Sequence, residues 1–321
     1  MPKSQTSKPL DNLKNSLDDR ILYPWQYLEY LGEDDRTFIE KSEGIYLFDK
    51  TGRKLIDGPG GMWNVNVGHG VKEIADAVYA QIRSMPYASP FTESTEIAYN
   101  YASRLVKYAP GDLKRVFFTS GGSAAVDSAL RFVMFYNNVR GLRDKKQIIS
   151  RHDAYHGSTY LGASCSGKER DKNNFDFAND IVHHLSSPNP FRKPDDMSDE
   201  DFCDLKVKEL EDKIIELGPE KVAAFIAEPI LASGGVIVPP KGYQKKTLEV
   251  CRKYDVIYIS DEIVTGFGRL GHIFASENYF DIQPDIILLA KGITSGYVPC
   301  GAVVISERLM SQLDHKEKVI F

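Results

Sequence analysis

Apolar residues along this chain follow two periods. Short unbroken runs rich in Val, Ile, Leu and Ala recur at 115–120, 147–151, 222–230, 256–261, 286–290 and 301–305. They lack the polar alternation of a half-exposed strand, so they read as strands covered on both faces, as in a mostly parallel sheet. Between them the spacing turns helical. Over 123–136, Val126, Leu130 and Val133 fall at i, i+4 and i+7. The segment 199–217 starts after Ser198 with Asp201 three positions on, a capping signature, and stops at Gly218-Pro219. Two more amphipathic helices are expected at 71–84 and 93–107, the second ending before Pro110-Gly111. Ahead of them, 45–48 and 54–56 flank the turn 49–52 and predict a β-hairpin in a small N-terminal subdomain. The stretch 186–196, with three prolines, reads as a long surface loop. The pattern therefore predicts an α/β fold, with a mostly parallel central sheet between helices on both faces and part of a small α+β domain.

Composition narrows the function classes. With 321 residues the chain can bury a sizeable core, and 26% charged residues with a net charge of −5 describe an ordinary acidic protein. There is no basic stripe, so nucleic acid is not an expected partner. Four cysteines, Cys165, Cys203, Cys251 and Cys300, have no CxxC spacing. They fit reduced thiols of a cytosolic protein, with neither a disulfide framework nor a metal site. No apolar stretch reaches the length of a membrane span, and the polar first dozen residues read as a mobile arm.

Four features carry chemistry. Asp261 opens DEIVTGFGR at the end of one apolar run, and Lys291 closes the next, Ile286-Ile287-Leu288-Leu289-Ala290. A carboxylate that keeps a pyridinium nitrogen protonated and an amine that carries an aldehyde cofactor as a Schiff base are what pyridoxal phosphate requires. Strand-end charges on their own are commonly surface groups. In RVFFTSGGSAAVDSAL a strand runs through Gly121-Gly122-Ser123 directly into a helix, which aims the N–H groups of 122–125 at a space suited to phosphate. A plain serine-capped turn would look the same. Tyr155-His156-Gly157 follows the 147–151 strand and offers either a stacking ring or a core aromatic. Glu228 ends the apolar strand at Ala227-Glu228-Pro229, where a carboxylate must face the crevice or meet a cation. All of them fall at strand ends on the edge where open α/β sheets bind ligands.

The order SGGSAAVD, AYHG, AEP, DEIVTGFGR and LAKGITSGYVPCGAV resembles the class III aminotransferases of pyridoxal phosphate fold type I, the group that includes the ω-amino acid:pyruvate transaminases. Matching motifs begin at WNVNVGHG, from Trp63. The resemblance implies pyridoxal 5'-phosphate as cofactor and transfer of an amino group from an amine or ω-amino acid to a 2-oxo acid such as pyruvate. It implies Lys291 as the cofactor lysine and proton shuttle and Asp261 at the ring nitrogen. It places Gly122 and Ser123 on the phosphate, Tyr155 and Ile263 on opposite faces of the ring, and Glu228 close to it. His156, Gly268 and Arg269 would be scaffold, Arg269 through an internal ion pair. Trp63 would line the substrate pocket, together with Tyr23 and Phe91, and the protein would be a homodimer. On this reading residues 1–60 are an arm and part of the small domain, and 61–321 form the large cofactor-binding domain.

Two departures stand out. Family members usually have Glu-Ala-Asn after the Gly-Ser, where this chain has Ala124-Ala125-Val126. The family also continues beyond the point matching Phe321, through a threonine contributed to the partner's phosphate site and a C-terminal small domain. A catalytically impaired, truncated remnant is therefore a rival expectation, as is an aminomutase or decarboxylase on the same fold.

Overall fold

The computed structural model describes residues 21–30 and 36–313. The arm expected over the first dozen residues lies outside them. Contacts divide the chain into two units, 1–57 and 58–321. The first contains a three-stranded antiparallel sheet, β1 (Ile39–Glu43), β2 (Tyr46–Asp49) and β3 (Lys54–Ile56). Asp49 fixes the expected hairpin turn: its carboxylate accepts from the Thr51 and Arg53 N–H groups, both at 2.9 Å, and from the Thr51 hydroxyl at 2.6 Å. Strand β1 was not expected, because Ile-Glu-Lys-Ser-Glu is too polar to register as a run.

The second unit is built on a seven-stranded sheet. Its strands are β4 (Leu113–Thr119), β5 (Gln147–Arg151), β6 (Val182–Leu185), β7 (Val222–Ala227), β8 (Ile257–Asp261), β9 (Ile286–Leu289) and β10 (Gly301–Ser306), in the order β4-β10-β9-β8-β7-β5-β6. Only β10 runs against the rest, being antiparallel to both β4 and β9. The C-terminal ends of β4, β5, β7, β8 and β9 therefore open on one edge. The α-helices of six or more residues are α1 (Lys72–Ser84), α2 (Glu96–Tyr108), α3 (Gly122–Val139), α4 (Tyr160–Cys165), α5 (Asp199–Leu217), α6 (Tyr243–Lys253) and α7 (Ala275–Phe280) among the described residues.

The unbroken apolar runs have the expected cause. Along β7 and β8, Ala224, Ile226, Ile257 and Ile259 point to the face covered by α3, while Phe225, Ala227 and Tyr258 point to the face covered by α5 and α6. Successive side chains alternate between faces, and both faces are dry. Helix α5 begins as predicted, with the Ser198 hydroxyl accepting the Asp201 N–H at 3.0 Å. Strand β6 escaped prediction because its centre is His183-His184, and α6 because seven of its eleven residues, Gln-Lys-Lys-Thr, Glu and Arg-Lys, are polar.

At the far edge of the sheet Asp285, fully buried, bonds to the guanidinium groups of Arg252 and Arg308 and accepts the Tyr258 N–H at 2.9 Å. It ties α6 to the starts of β8 and β9. Among the described residues no helix is long and apolar enough to cross a membrane.

Helix α3 is held to the sheet by fully buried residues such as Leu130. We expect Leu130→Ala to lower the unfolding free energy by about 2–5 kcal/mol, as a buried Leu-to-Ala cavity does. Urea denaturation followed by circular dichroism measures it.

Candidate active site

Three side chains meet where parallel strands end. In register, Ala227 of β7 pairs with Ser260 of β8, and Asp261 pairs with Leu288 of β9. Glu228 and Asp261, each one step past or at a strand end, and Lys291, just beyond β9, therefore stand on three adjacent strands at the same edge. Lys291 holds a left-handed backbone (φ 47°), an uncommon conformation for a residue with a side chain.

Burial lowers the pKa of the Lys291 amine, while the negative charges of Asp261 and Glu228 oppose that shift. Glu228 is buried and satisfied by backbone: Oε1 accepts the Tyr155 N–H at 3.0 Å and Oε2 the Ala232 N–H at 3.1 Å. Burial pushes its carboxyl above the usual carboxylate range, against the pull of His156. Of the two readings open for Glu228, the structure gives a carboxylate whose charge acts on Lys291 and whose oxygens fix the Tyr155 backbone. A cation is also near, since the Arg151 guanidinium donates to the Glu228 backbone carbonyl at 2.6 Å.

Asp261 is 3% exposed. Its Oδ2 lies 2.7 Å from His156 Nδ1, and its Oδ1 accepts the Ile263 N–H at 3.1 Å. His156, expected as scaffold, bonds the carboxylate directly. It orients the carboxylate, a role that motif order alone could not assign, because the partner lies more than a hundred positions away. Arg269, expected in an internal ion pair, donates to the Asn66 side-chain carbonyl at 2.8 Å and among the described residues meets no carboxylate.

The loop between β4 and α3 forms a cradle. The Ala125 N–H bonds to the Gly121 carbonyl at 3.0 Å, so the donors narrow from the expected 122–125 to Gly122, Ser123 and Ala124, which among the described residues have no acceptor. A Cβ at Gly121 would meet no atom within 4 Å, whereas one at Gly122 would stand 3.0 Å from Ile263 Cδ1. Space on one side and a packed wall on the other suit a phosphate group. The Ser123 hydroxyl accepts the Ser158 N–H at 3.1 Å, which binds the Tyr155–Ser158 loop to the cradle. Ala124 and Val126 do not disturb these contacts.

The expected substrate residues are placed unevenly. Trp63, at φ 62°, precedes a segment clamped to the chain beyond Lys291: the Val67 N–H bonds Ser295 Oγ at 3.0 Å and the Val71 N–H bonds Tyr297 Oη at 2.7 Å. Phe91 is 93% exposed. Tyr23 belongs to the first unit, where the Arg36 guanidinium covers its ring at 3.9 Å. Glu262, absent from the expected set, is fully buried and holds the start of α7 through the Ala275 and Ser276 N–H groups at 2.6 and 2.8 Å. It anchors the loop that carries Ile263.

Residues 31–318 match the family model Aminotransferase class-III. The chain belongs to this family. It is 39% identical over 297 residues to a putrescine–pyruvate aminotransferase of Pseudomonas aeruginosa, covering 92% of this chain and 65% of that one. A vanillin aminotransferase of Capsicum chinense is 39% identical, over 85% of this chain and 60% of the relative. Among solved structures, an (S)-enantioselective omega-transaminase from Thermomicrobium roseum superposes with a TM-score of 0.92 at 35% identity, covering 97% of this chain and 69% of that one. An omega transaminase from Pseudomonas jessenii in complex with PMP gives 0.90 at 36%, covering 92% and 66%. The chain thus has the fold of type I pyridoxal phosphate enzymes. It spans between about half and two thirds of the length of the curated relatives it matches.

A buried amine costs stability while it is charged. Since the folded pKa of Lys291 is lowered, the unfolded chain binds more protons between that value and the ordinary lysine pKa, and Lys291 contributes a penalty that fades as pH rises through this window. We expect Lys291→Met to raise the stability of the cofactor-free protein at pH 7 and the gain to shrink by pH 10. Denaturant midpoints at the two pH values measure it; a gain that grows with pH contradicts the assignment.

Proposed function

We propose that this chain binds pyridoxal 5'-phosphate and transfers an amino group from an amine or ω-amino acid to a 2-oxo acid such as pyruvate. The observation that carries the reading is the buried amine of Lys291 within the field of two buried carboxylates, Asp261 and Glu228, on the edge where the α3 cradle opens. The relatives, each named an aminotransferase or transaminase, support the reaction class over a mutase or decarboxylase.

When bound, pyridoxal phosphate supplies an electron-withdrawing ring that stabilises negative charge at the substrate Cα. The chain's residues do the rest. Gly122, Ser123 and Ala124 present three N–H donors and the positive end of the α3 dipole to the phosphate. Asp261, held by His156, would keep a proton on the ring nitrogen, because an adjacent carboxylate favours the charged form. Tyr155 and Ile263 would cover the two faces of the ring. Lys291, whose burial favours the neutral, proton-accepting amine, would take the substrate Cα proton at Nζ and deliver the same proton to the cofactor side of the bound pair. Trp63 borders the substrate space, with Tyr23 and Phe91 as further candidates.

Residues 61–321 form the cofactor-binding domain in this reading, and 1–60 an arm and part of a smaller one. Two copies pair as a homodimer, a view supported by the exposed Tyr79 and Ile82 of α1 and Ile97 and Tyr99 of α2. Four cysteines without a disulfide suit a reducing cytoplasm.

Added pyridoxal phosphate should give the purified protein a visible absorption band that Lys291→Ala removes. Identical spectra for the two proteins would sink the lysine assignment. Asp261→Asn should retain cofactor and slow single-turnover amino transfer by about 100-fold or more, the scale of losing a positioned proton-holding group. Stopped-flow absorbance measures it, and a near-normal rate excludes the pyridinium role.

A further inference from the structure

The Tyr155 backbone is fixed by Glu228, but nothing in that bond sets the plane of the ring. The feature that does lies on a neighbouring segment. The Asp153 N–H bonds to the Gly167 carbonyl at 3.2 Å, and the Gly167 N–H bonds to the Ala154 carbonyl at 2.9 Å. These reciprocal bonds bring out Tyr155 and Lys168 side by side, each one residue past the paired strands of chain. The approach is so close that a Cβ at Gly167 would stand 2.1 Å from the Arg151 carbonyl oxygen. Glycine there makes the juxtaposition possible.

Lys168 is only 8% exposed. Its ammonium lies 5.3 Å from the centroid of the Tyr155 ring, within cation–π range. Groups on separate segments hold it, among them Ser233 Oγ at 2.6 Å, in the loop after β7, and Asp171 Oδ2 at 3.2 Å, one turn along its own segment. A lysine ordinarily keeps its head in water, so burial of this one against an aromatic face needs a compensating role.

We propose that Lys168 is a positioning residue for Tyr155. Anchored by Ser233 and Asp171, its ammonium occupies one side of the ring and sets the plane of the opposite face, against which the flat cofactor lies. This rests on the reading of Tyr155 as the stacking residue. Ordering the ring before the cofactor arrives removes part of the entropy cost of binding. The interaction needs a cation on the Lys168 side; chain length alone does not replace it.

The test is a double-mutant cycle on the cofactor-free protein, read by equilibrium titration with pyridoxal phosphate and by induced circular dichroism of the bound cofactor, which reports ring orientation. We expect Lys168→Met to raise the dissociation constant by about 5- to 10-fold, the range of a desolvated cation–π contact, and to reduce the induced signal. Lys168→Arg keeps the cation and should restore both to within about 3-fold. Tyr155→Leu should weaken binding by itself, and adding Lys168→Met to it should cost nothing further, since the two act through one contact.

Wild-type affinity and dichroism in Lys168→Met overturn the proposal while leaving the stacking reading intact. An undiminished loss in the Tyr155→Leu background also overturns it, by showing that Lys168 acts elsewhere. If Tyr155→Leu itself binds as the wild type does, stacking fails and the inference falls with it. Should Lys168→Met not fold by far-ultraviolet dichroism, Ser233→Ala, which keeps the ammonium but loosens its anchor, reads the same signal, with an unchanged dichroism as the overturning result.

Discussion

A carboxylate at the end of a strand covered on both faces has no water to satisfy it, and most of this site follows from that constraint. Asp261 meets it with the His156 ring and the Ile263 amide, and Glu228 meets it with the Tyr155 and Ala232 amides. Each solution reaches into a different loop. The buried acids thereby assemble the loops after β5, β7 and β8 around themselves, and the side chains those loops carry, Tyr155 and Ile263, come into place as a result. Leaving either acid unpaired at that depth would cost on the order of several kcal/mol. The same demand that organises the loops therefore penalises any arrangement that separates them.

Much of this was legible in the sequence, for identifiable reasons. A parallel sheet covered on both faces writes itself as unbroken apolar runs, and 147–151, 222–227 and 286–289 appear as strands where those runs stand. Helix α5 is marked by its cap at Ser198 and its stop at Gly218. Strand β6 is not marked, because an edge strand carrying His183-His184 has no unbroken run to show. At the site, residue types and spacing pointed to Lys291, Asp261, Glu228 and the Gly122-Ser123 turn. They did not show that His156 bonds Asp261, that Arg269 meets Asn66, or that Glu262 pins the Ile263 loop. Those are contacts between distant parts of the chain, and periodicity carries no information about them.

The site also stores unfavourable free energy in one residue. Lys291 combines a left-handed backbone with a buried amine, and both run against folding. The adjacent charges of Asp261 and Glu228 offset only part of the burial cost. The surrounding sheet, with β8 and β9 locked at their other ends through Asp285, supplies the rigidity that keeps the lysine there. Stability gathered at one edge of the sheet is spent at the other.

The reversal of β10 has a topological consequence. Because β10 runs antiparallel to β9, the chain leaves Lys291 and re-enters the sheet from the same edge, without crossing to the opposite side. Residues 292–300 therefore form a short closed span whose two ends are both fixed by the sheet, and Ser295 and Tyr297 within it grip the segment after Trp63. Lys291 and the segment after Trp63 are thus both tied to a single short loop. A residue inserted in that span would shift the lysine and the segment after Trp63 together.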